Sequence, residues 1–186
     1  MIFVTGGVRS GKSSFAEQLA VEIASEHQLH LHYIATSEGT DDEMRKRITL
    51  HRLAREKSPM PWKTWEFPHP NFHLISNFGK EDVILLDCLT TWMGNVCFHQ
   101  FECSPPSTSE AFMNSTVLKV MNTIDAFSAR VHTFILVSNE LLHDGNLDDP
   151  YVFAYQRMIG LLHQKIVNRA DTAFLVETGI ALKMKG

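Results

Sequence analysis

The hydrophobic residues of the chain fall into five short runs, and segments with helical spacing separate these runs from one another. The apolar runs lie at residues 1–5, 31–36, 82–88, 132–139 and 172–179. Continuous apolar runs of this length are typical of strands that are buried on both faces. The helical segments lie at residues 12–26, 41–57, 110–128 and 150–169. This alternation predicts an α/β fold of three layers, in which helices cover a mostly parallel sheet.

Two proline-bearing stretches interrupt the pattern and are predicted to be loops or irregular connections. The first spans residues 62–79 and the second spans residues 101–109. A chain of 186 residues suits a single hydrophobic core. Neither stretch is therefore expected to separate domains, and we predict one catalytic domain over residues 1–186.

Charge and cysteine content narrow the class of protein. The net charge is −4 and the isoelectric point is near 6.2, which provides no overall basic field for nucleic acid or anionic lipid. The three cysteines, Cys88, Cys97 and Cys103, show no CxxC spacing. No signal peptide or apolar run of membrane-spanning length is evident. We expect a soluble protein of the reducing cytoplasm that binds neither nucleic acid nor membrane.

The glycine-rich segment after the first apolar run reads GGVRSGKS and matches the GxxxxGK[ST] pattern at every fixed position. In this pattern the glycines let successive backbone N–H groups point at phosphate oxygens, and the following helix adds the positive end of its dipole. Lys12 is predicted to reach the β- and γ-phosphates, and Ser13 to bind Mg²⁺. The alternative is an ordinary glycine-rich turn. The predicted nucleotide-binding residues are Gly6, Gly7, Val8, Arg9, Ser10, Gly11, Lys12 and Ser13.

Asp87 ends the apolar run VILLD. A buried strand that ends in a carboxylate can deliver an Mg²⁺ ligand to the carboxyl edge of a parallel sheet. Hydrophobic strands ending in aspartate are common, so this signal alone is weak. Together with the glycine-rich segment, it makes Asp87 the second predicted ligand of a nucleotide-bound Mg²⁺.

A basic segment carries a candidate nucleophile. Arg47, His51 and Arg55 are spaced four residues apart and share one face of the predicted helix. A neutral imidazole can attack an α-phosphorus and hold a nucleotidyl group, while neighbouring cations steady the developing charge. The arginines are also expected to favour the neutral form of His51. The alternative is a solvated basic face with an inert histidine.

Across nearly its whole length, the chain resembles the bifunctional adenosylcobinamide kinase and adenosylcobinamide-phosphate guanylyltransferase family of cobalamin biosynthesis. The stretches most diagnostic of the family are the DDEM–RI–HR block and the VSNE block. The similar stretches, in order, are VTGGVRSGKSSFAE, YIATS, DDEMRKRITLHRLAR, WKTWE, ILLDCLTTWMGN, ILVSNE and LVETGIALKMK.

The resemblance implies two activities. The enzyme would phosphorylate adenosylcobinamide with ATP or GTP, and would then transfer GMP from GTP through a guanylyl-histidine to give adenosylcobinamide-GDP. His51 and Lys12 would be catalytic, and Mg²⁺ would accompany the nucleotide without any prosthetic group. Oligomers in the family imply a homo-oligomer here, with a trimer as one form. Beyond the glycine-rich segment, the implied nucleotide site contains Ala35, Thr36, Ser37, His51, Arg52, Leu53, Ala54, Glu66 and Asp87.

The chain departs from the family pattern after Glu140. His163 stands where asparagine is typical, and Tyr155, Gln156 and Arg157 replace the usual Phe-Arg-Asp. Two other functions remain as alternatives. One is a simple P-loop kinase for another small molecule, with no nucleotidyl intermediate. The other is a GTP-dependent switch, which the missing guanine-reading NKxD tetrad disfavours.

Two further sets of side chains have both a functional and a structural interpretation. Aromatic residues would stack a base or cover a corrin ring, or would pack in the core or a lid; they are Trp62, Trp65, Trp92, Phe67, Phe72 and Phe78. His27, His30 and His32 would bind Zn²⁺, or would be ordinary surface or strand-edge histidines.

Overall fold

The computed structural model describes residues 1–37, 46, 49, 51–53, 55–69, 72–98, 108–141 and 149–186. Its centre is a seven-stranded sheet with the order β3-β2-β4-β5-β1-β6-β7. Every neighbouring pair is parallel except β6 and β7, which are antiparallel. The predicted α/β fold with a mostly parallel sheet is confirmed. The strands are β1 (Ile2–Gly6), β2 (His30–Ala35), β3 (Trp62–Glu66), β4 (Asp82–Asp87), β5 (Thr133–Asn139), β6 (Thr172–Glu177) and β7 (Ile180–Lys185).

Three of the four predicted helices have their expected positions. The helices are α1 (Lys12–His27), α2 (Phe72–Ile75), α3 (Leu89–Phe98), α4 (Glu110–Arg130) and α5 (Pro150–Arg169). In the basic segment between β2 and β3, residues 46, 49, 51–53, 55 and 56 are helical. Among the described residues, no helix is long and apolar enough to cross a membrane.

Helices cover both faces of the sheet because alternate strand residues point to opposite sides. Val83 and Leu85 of β4 pack in the core that α1 covers, while Ile84 and Leu86 pack in the core beneath α3, α4 and α5. Burying one such side chain stabilises the fold by about 1.5–3 kcal/mol. Helix α1 packs closely against the sheet, so its fully buried hydrophobic residues are small. These residues are Ala16, Ala20 and Ala24.

Two strands and two helices were missed by the sequence pattern, namely β3, β7, α2 and α3. The prediction that residues 62–79 are irregular is wrong at β3, which pairs in parallel with β2, and at the short helix α2. Lys63, Thr64 and Glu66 are exposed on this edge strand, so its composition lacks the buried-strand signal. A turn at Thr178 and Gly179, with φ angles of 48° and 83°, returns the chain into β7, as hairpin turns with two positive φ angles do.

A hydrogen-bond network joins β2, β3 and β4. The indole N–H of Trp65 donates to His32 Nδ1 at 3.0 Å, and His32 Nε2 lies 3.0 Å from Asp82 Oδ1. Since Nδ1 accepts, the ring proton is on Nε2 and is donated to Asp82. Both nitrogens of His32 are thereby occupied. Within the part of the chain that the structure describes, no group of three metal-ligating side chains occurs, so the predicted zinc alternative at His27, His30 and His32 gains no support.

The end of β1 makes a close approach to β6 that requires glycine. A Cβ atom added to Gly6 would overlap the carbonyl oxygen of Val176, whereas a Cβ at Gly7 meets no heavy atom within 4 Å. The two adjacent glycines thus provide a matched comparison of packing.

We predict that Gly6→Ala destabilises the protein far more than Gly7→Ala. Forcing a methyl group into backbone costs about 1–3 kcal/mol or more, which corresponds to a fall in melting temperature of roughly 3–10 °C for a chain of this size. Thermal unfolding followed by circular dichroism measures the effect. Equal melting temperatures for the two variants would contradict the close approach.

Candidate active site

The loop between β1 and α1 turns tightly and packs against the β6–β7 turn. Arg9 and Gly11 have φ angles of 62° and 91°, and the Ser10 N–H donates to the Gly7 carbonyl at 3.2 Å. The Gly179 N–H in turn donates to the Ser10 carbonyl at 2.8 Å. The hairpin therefore supports the loop from outside and fixes its curvature.

Lys12 lies at the junction of this loop with α1. Its side chain is buried, and Nζ donates to the Gly7 carbonyl at 3.0 Å. No side chain caps the helix at Gly11, and the first turn of α1 contains no acidic residue. The positive end of the helix dipole and the ammonium group therefore lie together at the loop, which favours a bound anion.

Asp87 ends β4 and is held by a tyrosine. The Tyr33 hydroxyl donates to Asp87 Oδ2 at 3.1 Å. Burial, followed by the negative charge of Asp87, raises the pKa of Tyr33 well above its usual value. The phenol therefore keeps its proton and remains a donor that orients the carboxylate. Sequence reasoning did not find Tyr33, because an aromatic residue inside a buried strand has no distinctive signal.

The ends of β2 and β4 are tied by Thr36, which was predicted to line the nucleotide site. Its hydroxyl donates to the Cys88 carbonyl at 2.9 Å and accepts from the Cys88 N–H at 2.8 Å. The Thr36 side chain is fully buried and acts as a strut beneath the site. Beside it, the Asn139 amide at the end of β5 donates to the Thr90 hydroxyl at 2.7 Å.

A cleft of about 1580 Å³ opens at this edge of the sheet. The predicted site residues on its wall are Lys12, Ser13, Ala35, Ser37, His51, Arg52, Glu66 and Asp87. Thr36 is fully buried and Leu53 is exposed, and neither is on the cleft wall. Arg47 and Ala54 are outside the described residues. The remaining predicted residues form the loop and the strand end before it; these are Gly6, Gly7, Val8, Arg9, Ser10 and Gly11.

His51 faces a carboxylate on α1. Its Nδ1 lies 3.8 Å from Oε1 of Glu17, longer than a direct hydrogen bond but within ion-pair range. Glu17, with a smaller effect from Asp87, raises the pKa of His51 against the opposing effect of burial. Arg55 lowers that pKa, as expected, but by less. The expected effect of a neighbouring arginine is thus confirmed for Arg55, but the larger effect of Glu17 makes the net change in the His51 pKa a rise.

Arg55 is buried and makes two contacts within the cleft wall. Its Nη1 donates to Glu17 Oε1 at 3.1 Å, and its guanidinium lies 3.6 Å from the centre of the Tyr33 ring. The buried charge is thus paired with a carboxylate and stacked on an aromatic face. Arg55 therefore links Glu17 of α1 to Tyr33 of β2.

Comparison with known proteins agrees with this geometry. A sequence model of the family described as cobinamide kinase / cobinamide phosphate guanyltransferase matches residues 2–184. The chain is a member of this family.

Relatives in three bacteria extend the family match over the full chain. Proteins of Salmonella typhimurium and Escherichia coli, each named bifunctional adenosylcobalamin biosynthesis protein CobU, are 32% identical over 100% of this chain and 99% of their own length. The Pseudomonas aeruginosa protein named CobP is 31% identical over 98% of this chain and 96% of its own. The resemblance noted from the motifs is confirmed, as is the transferase class with kinase and nucleotidyltransferase activities.

The aromatic residues of this family member divide between the core and the cleft. Trp92, Phe67 and Phe78 are buried in the main core, whereas Trp62 and Trp65 line the cleft. The side chain of Phe72 lies outside the described residues. The core interpretation is confirmed for the first three, and base stacking stays a prediction for the two cleft tryptophans.

A second, mainly apolar pocket of about 680 Å³ adjoins the cleft between α3 and α5. Thr91 belongs to the walls of both cavities. Tyr155, one of the departures from the family pattern, contributes to this pocket and donates its hydroxyl to the Thr90 carbonyl at 2.7 Å. Other apolar members of the wall are Phe112, Leu141, Val152, Ala154 and Met158.

His163, a second departure, is buried behind the site. Its Nε2 lies 2.7 Å from the Ser138 hydroxyl, on the residue that precedes Asn139. Burial lowers the pKa of His163 below its usual value of 6.5, against a smaller opposing effect of Glu140. The folded protein therefore holds a neutral imidazole that supports the end of β5.

This burial predicts a pH-dependent stability. Because the folded pKa is depressed, the contribution of His163 is present above about pH 6.5 and is lost as the pH falls and the unfolded chain takes up a proton. His163→Asn should reduce the loss of unfolding free energy between pH 7.5 and 5.5 by on the order of 1 kcal/mol. Urea unfolding at several pH values measures it.

His132→Asn provides the matched control, because His132 is exposed and lies at the opposite end of β5. The control is expected to keep the wild-type pH dependence. An unchanged pH dependence in His163→Asn would show that burial of this imidazole has no energetic consequence.

Proposed function

We propose that this chain phosphorylates adenosylcobinamide with ATP or GTP and then transfers GMP from GTP to the new phosphate, giving adenosylcobinamide-GDP. The observation that carries the proposal is that Lys12, Ser13, Asp87 and His51 all line one cleft. A phosphate-binding loop alone would suit a simple kinase. The additional histidine on the same wall favours a second, nucleotidyl-transferring step.

The phosphorylation step uses the loop and its neighbours. The backbone N–H groups of the loop and the Lys12 ammonium hold the triphosphate, and the acceptor hydroxyl attacks the γ-phosphorus. Ser13 and Asp87 supply hard oxygen ligands that suit Mg²⁺, and Tyr33 holds the Asp87 carboxylate in place. A bound Mg²⁺ would neutralise developing phosphate charge. Positioning of reactants and stabilisation of charge carry most of the catalysis.

The guanylyl transfer proceeds in two displacements at His51. A ring nitrogen attacks the α-phosphorus of GTP, so that an N–P bond forms and the P–O bond to pyrophosphate breaks. The acceptor phosphate oxygen then attacks the same phosphorus, and the N–P bond breaks. His51 is half-buried, which limits access of water to the intermediate.

The adjoining apolar pocket is the proposed seat of the corrinoid. The cleft wall carries the charged groups that a nucleotide needs, whereas the pocket wall is mainly apolar and suits part of a large macrocyclic substrate. Because Thr91 is shared by both cavities, an acceptor arm has a direct route from the pocket to the phosphates.

The proposal also covers location and assembly. We infer one catalytic domain over residues 1–186 that acts in the cytoplasm as a homo-oligomer, with a trimer as one form. Edge strand β7 supports self-association. Alternate residues along this strand share one face, and on that face they are large exposed hydrophobic side chains: Ile180, Leu182 and Met184.

Labelling with GTP separates the two chemical steps. Wild-type protein incubated with α-³²P-GTP should acquire an acid-labile, base-stable label, whereas His51→Ala should acquire none and should still phosphorylate the corrinoid. Lys12→Ala should weaken triphosphate use in both steps. Label that persists on His51→Ala would remove His51 from the mechanism, and absence of label on the wild type would favour the simple kinase.

Filling the apolar pocket tests the seat of the acceptor. Val152→Trp adds bulk to the pocket wall and should raise the KM for the corrinoid by about tenfold, as expected for a steric cost of roughly 1–3 kcal/mol. Labelling of the protein by GTP without corrinoid should change much less. Leu118→Trp, at an exposed position of α4, is the control. An unaltered corrinoid KM in Val152→Trp would place the acceptor elsewhere.

A further inference from the structure

Glu17 belongs to the same face of α1 as the predicted Mg²⁺ ligand Ser13, since the two are one helical turn apart. Its carboxylate is largely buried, with 15% of the side chain exposed. One oxygen, Oε1, lies 3.1 Å from Arg55 Nη1 and 3.8 Å from His51 Nδ1. A buried charge of this kind is held in place by its partners.

The atom that faces Glu17 is decisive for the chemistry. A neutral imidazole has one N–H group and one lone pair, and a neighbouring carboxylate draws the proton to the nitrogen that faces it. With the proton on Nδ1, the lone pair is on Nε2, the ring nitrogen on the far side from the carboxylate. The ring is thereby prepared for attack by one particular nitrogen.

We propose that Glu17 is a positioning residue that holds His51 as the Nδ1–H tautomer, so that Nε2 is the atom that becomes guanylylated. The inference rests on the proposed function of His51 and adds the group that directs it. Sequence reasoning did not find Glu17, which lies in the stretch SSFAE directly after the glycine-rich motif.

The same carboxylate stabilises the product of the first displacement. When Nε2 attacks the α-phosphorus, the N–P bond forms, pyrophosphate leaves with the P–O bonding electrons, and the proton stays on Nδ1. The ring therefore becomes positively charged beside Glu17. A fixed carboxylate stabilises this developing charge without reorganisation. In the second displacement the acceptor phosphate oxygen bonds to the α-phosphorus of the GMP group. The N–P bond breaks, its electrons return to Nε2, and the ring is again a neutral imidazole.

Arg55 pairs with this carboxylate and connects it, through Tyr33, to Asp87. Its guanidinium binds Glu17 and covers the ring of Tyr33, whose hydroxyl donates to Asp87. Among the described residues, the charged groups that act on His51 besides Glu17 are Asp87 from β4 and Arg55 from its own segment. A substitution of Glu17 therefore changes the dominant carboxylate near the histidine and leaves the other two charges in place.

A purely structural ion pair is the competing explanation, and it predicts different data. If Glu17 only fastened the basic segment to α1, its loss would lower stability and weaken GTP binding. It would not change which ring nitrogen carries the proton. The tautomer and the pH dependence of labelling therefore separate the two explanations.

The experiment compares Glu17→Gln with Glu22→Gln, an exposed glutamate of the same helix, in the full-length protein. Single-turnover labelling by α-³²P-GTP is measured from pH 5.5 to 9. Glu17→Gln should lower the maximal rate by about 10–100-fold, while the GTP concentration for half-maximal rate changes by less than about threefold. Glu22→Gln should match the wild type.

The pH profile provides the second readout. Labelling needs neutral His51, whose pKa lies above 6.5 because of Glu17, so the wild-type rate falls as the pH drops through that raised value. In Glu17→Gln the pKa of His51 decreases. The acidic limb of the profile, where the labelling rate falls, therefore moves to lower pH. In ¹⁵N-histidine spectra of wild type above that limb, His51 should show a protonated Nδ1. In Glu17→Gln the proton should shift towards Nε2.

Each outcome decides the proposal. The proposal would be overturned if folded Glu17→Gln kept the wild-type labelling rate, the wild-type acidic limb of the pH profile and the Nδ1–H tautomer of His51. If Glu17→Gln does not fold, Glu17→Asp takes its place: a reduced rate with the limb and the Nδ1–H tautomer retained supports the proposal, and an unchanged rate overturns it. Label that remains on His51→Ala would instead remove the proposed function itself, so the two failures are distinguishable.

Discussion

Parallel pairing of β1, β5, β4 and β2 is the constraint on which the site depends. Because these strands run in one direction, their carboxyl ends meet at one edge of the sheet. Each end delivers a different group: the glycine-rich loop after β1, Asn139 at the end of β5, Asp87 at the end of β4 and Ala35 at the end of β2. The cleft exists because four separate parts of the chain finish together.

The cleft contains both positively and negatively charged side chains, and their arrangement cannot be inferred from the net charge of the protein. Lys12, Arg55 and the amino end of α1 bring positive charge to the cleft, although the chain as a whole carries a net charge of −4. Glu17 and Asp87 are placed among these cations, where each has a donor that holds it. Buried groups that are paired in this way stay fixed when a ligand arrives, which is what preorganisation requires.

Buried hydrogen bonds behind the cleft hold the ends of the strands that form it. Thr36 ties β2 to the residue after Asp87, and the Ser138–His163 pair supports the end of β5. These side chains are buried and hydrogen-bonded, so they fix the ends of the strands that meet at the cleft. The imidazole of His163 satisfies the buried hydroxyl of Ser138.

Several features were determined by the local sequence. The five apolar runs, three of the helices and the loop GGVRSGKS were predictable because hydrophobic period, glycine and lysine spacing act over a few residues. Edge strand β3 and the hairpin strand β7 were not, since exposed strands lack a continuous apolar run. The roles of Tyr33, Glu17 and Thr36 were decided only by the tertiary structure. Each depends on a partner that is distant in sequence, and a single sequence contains no record of which distant residues the sheet will bring together.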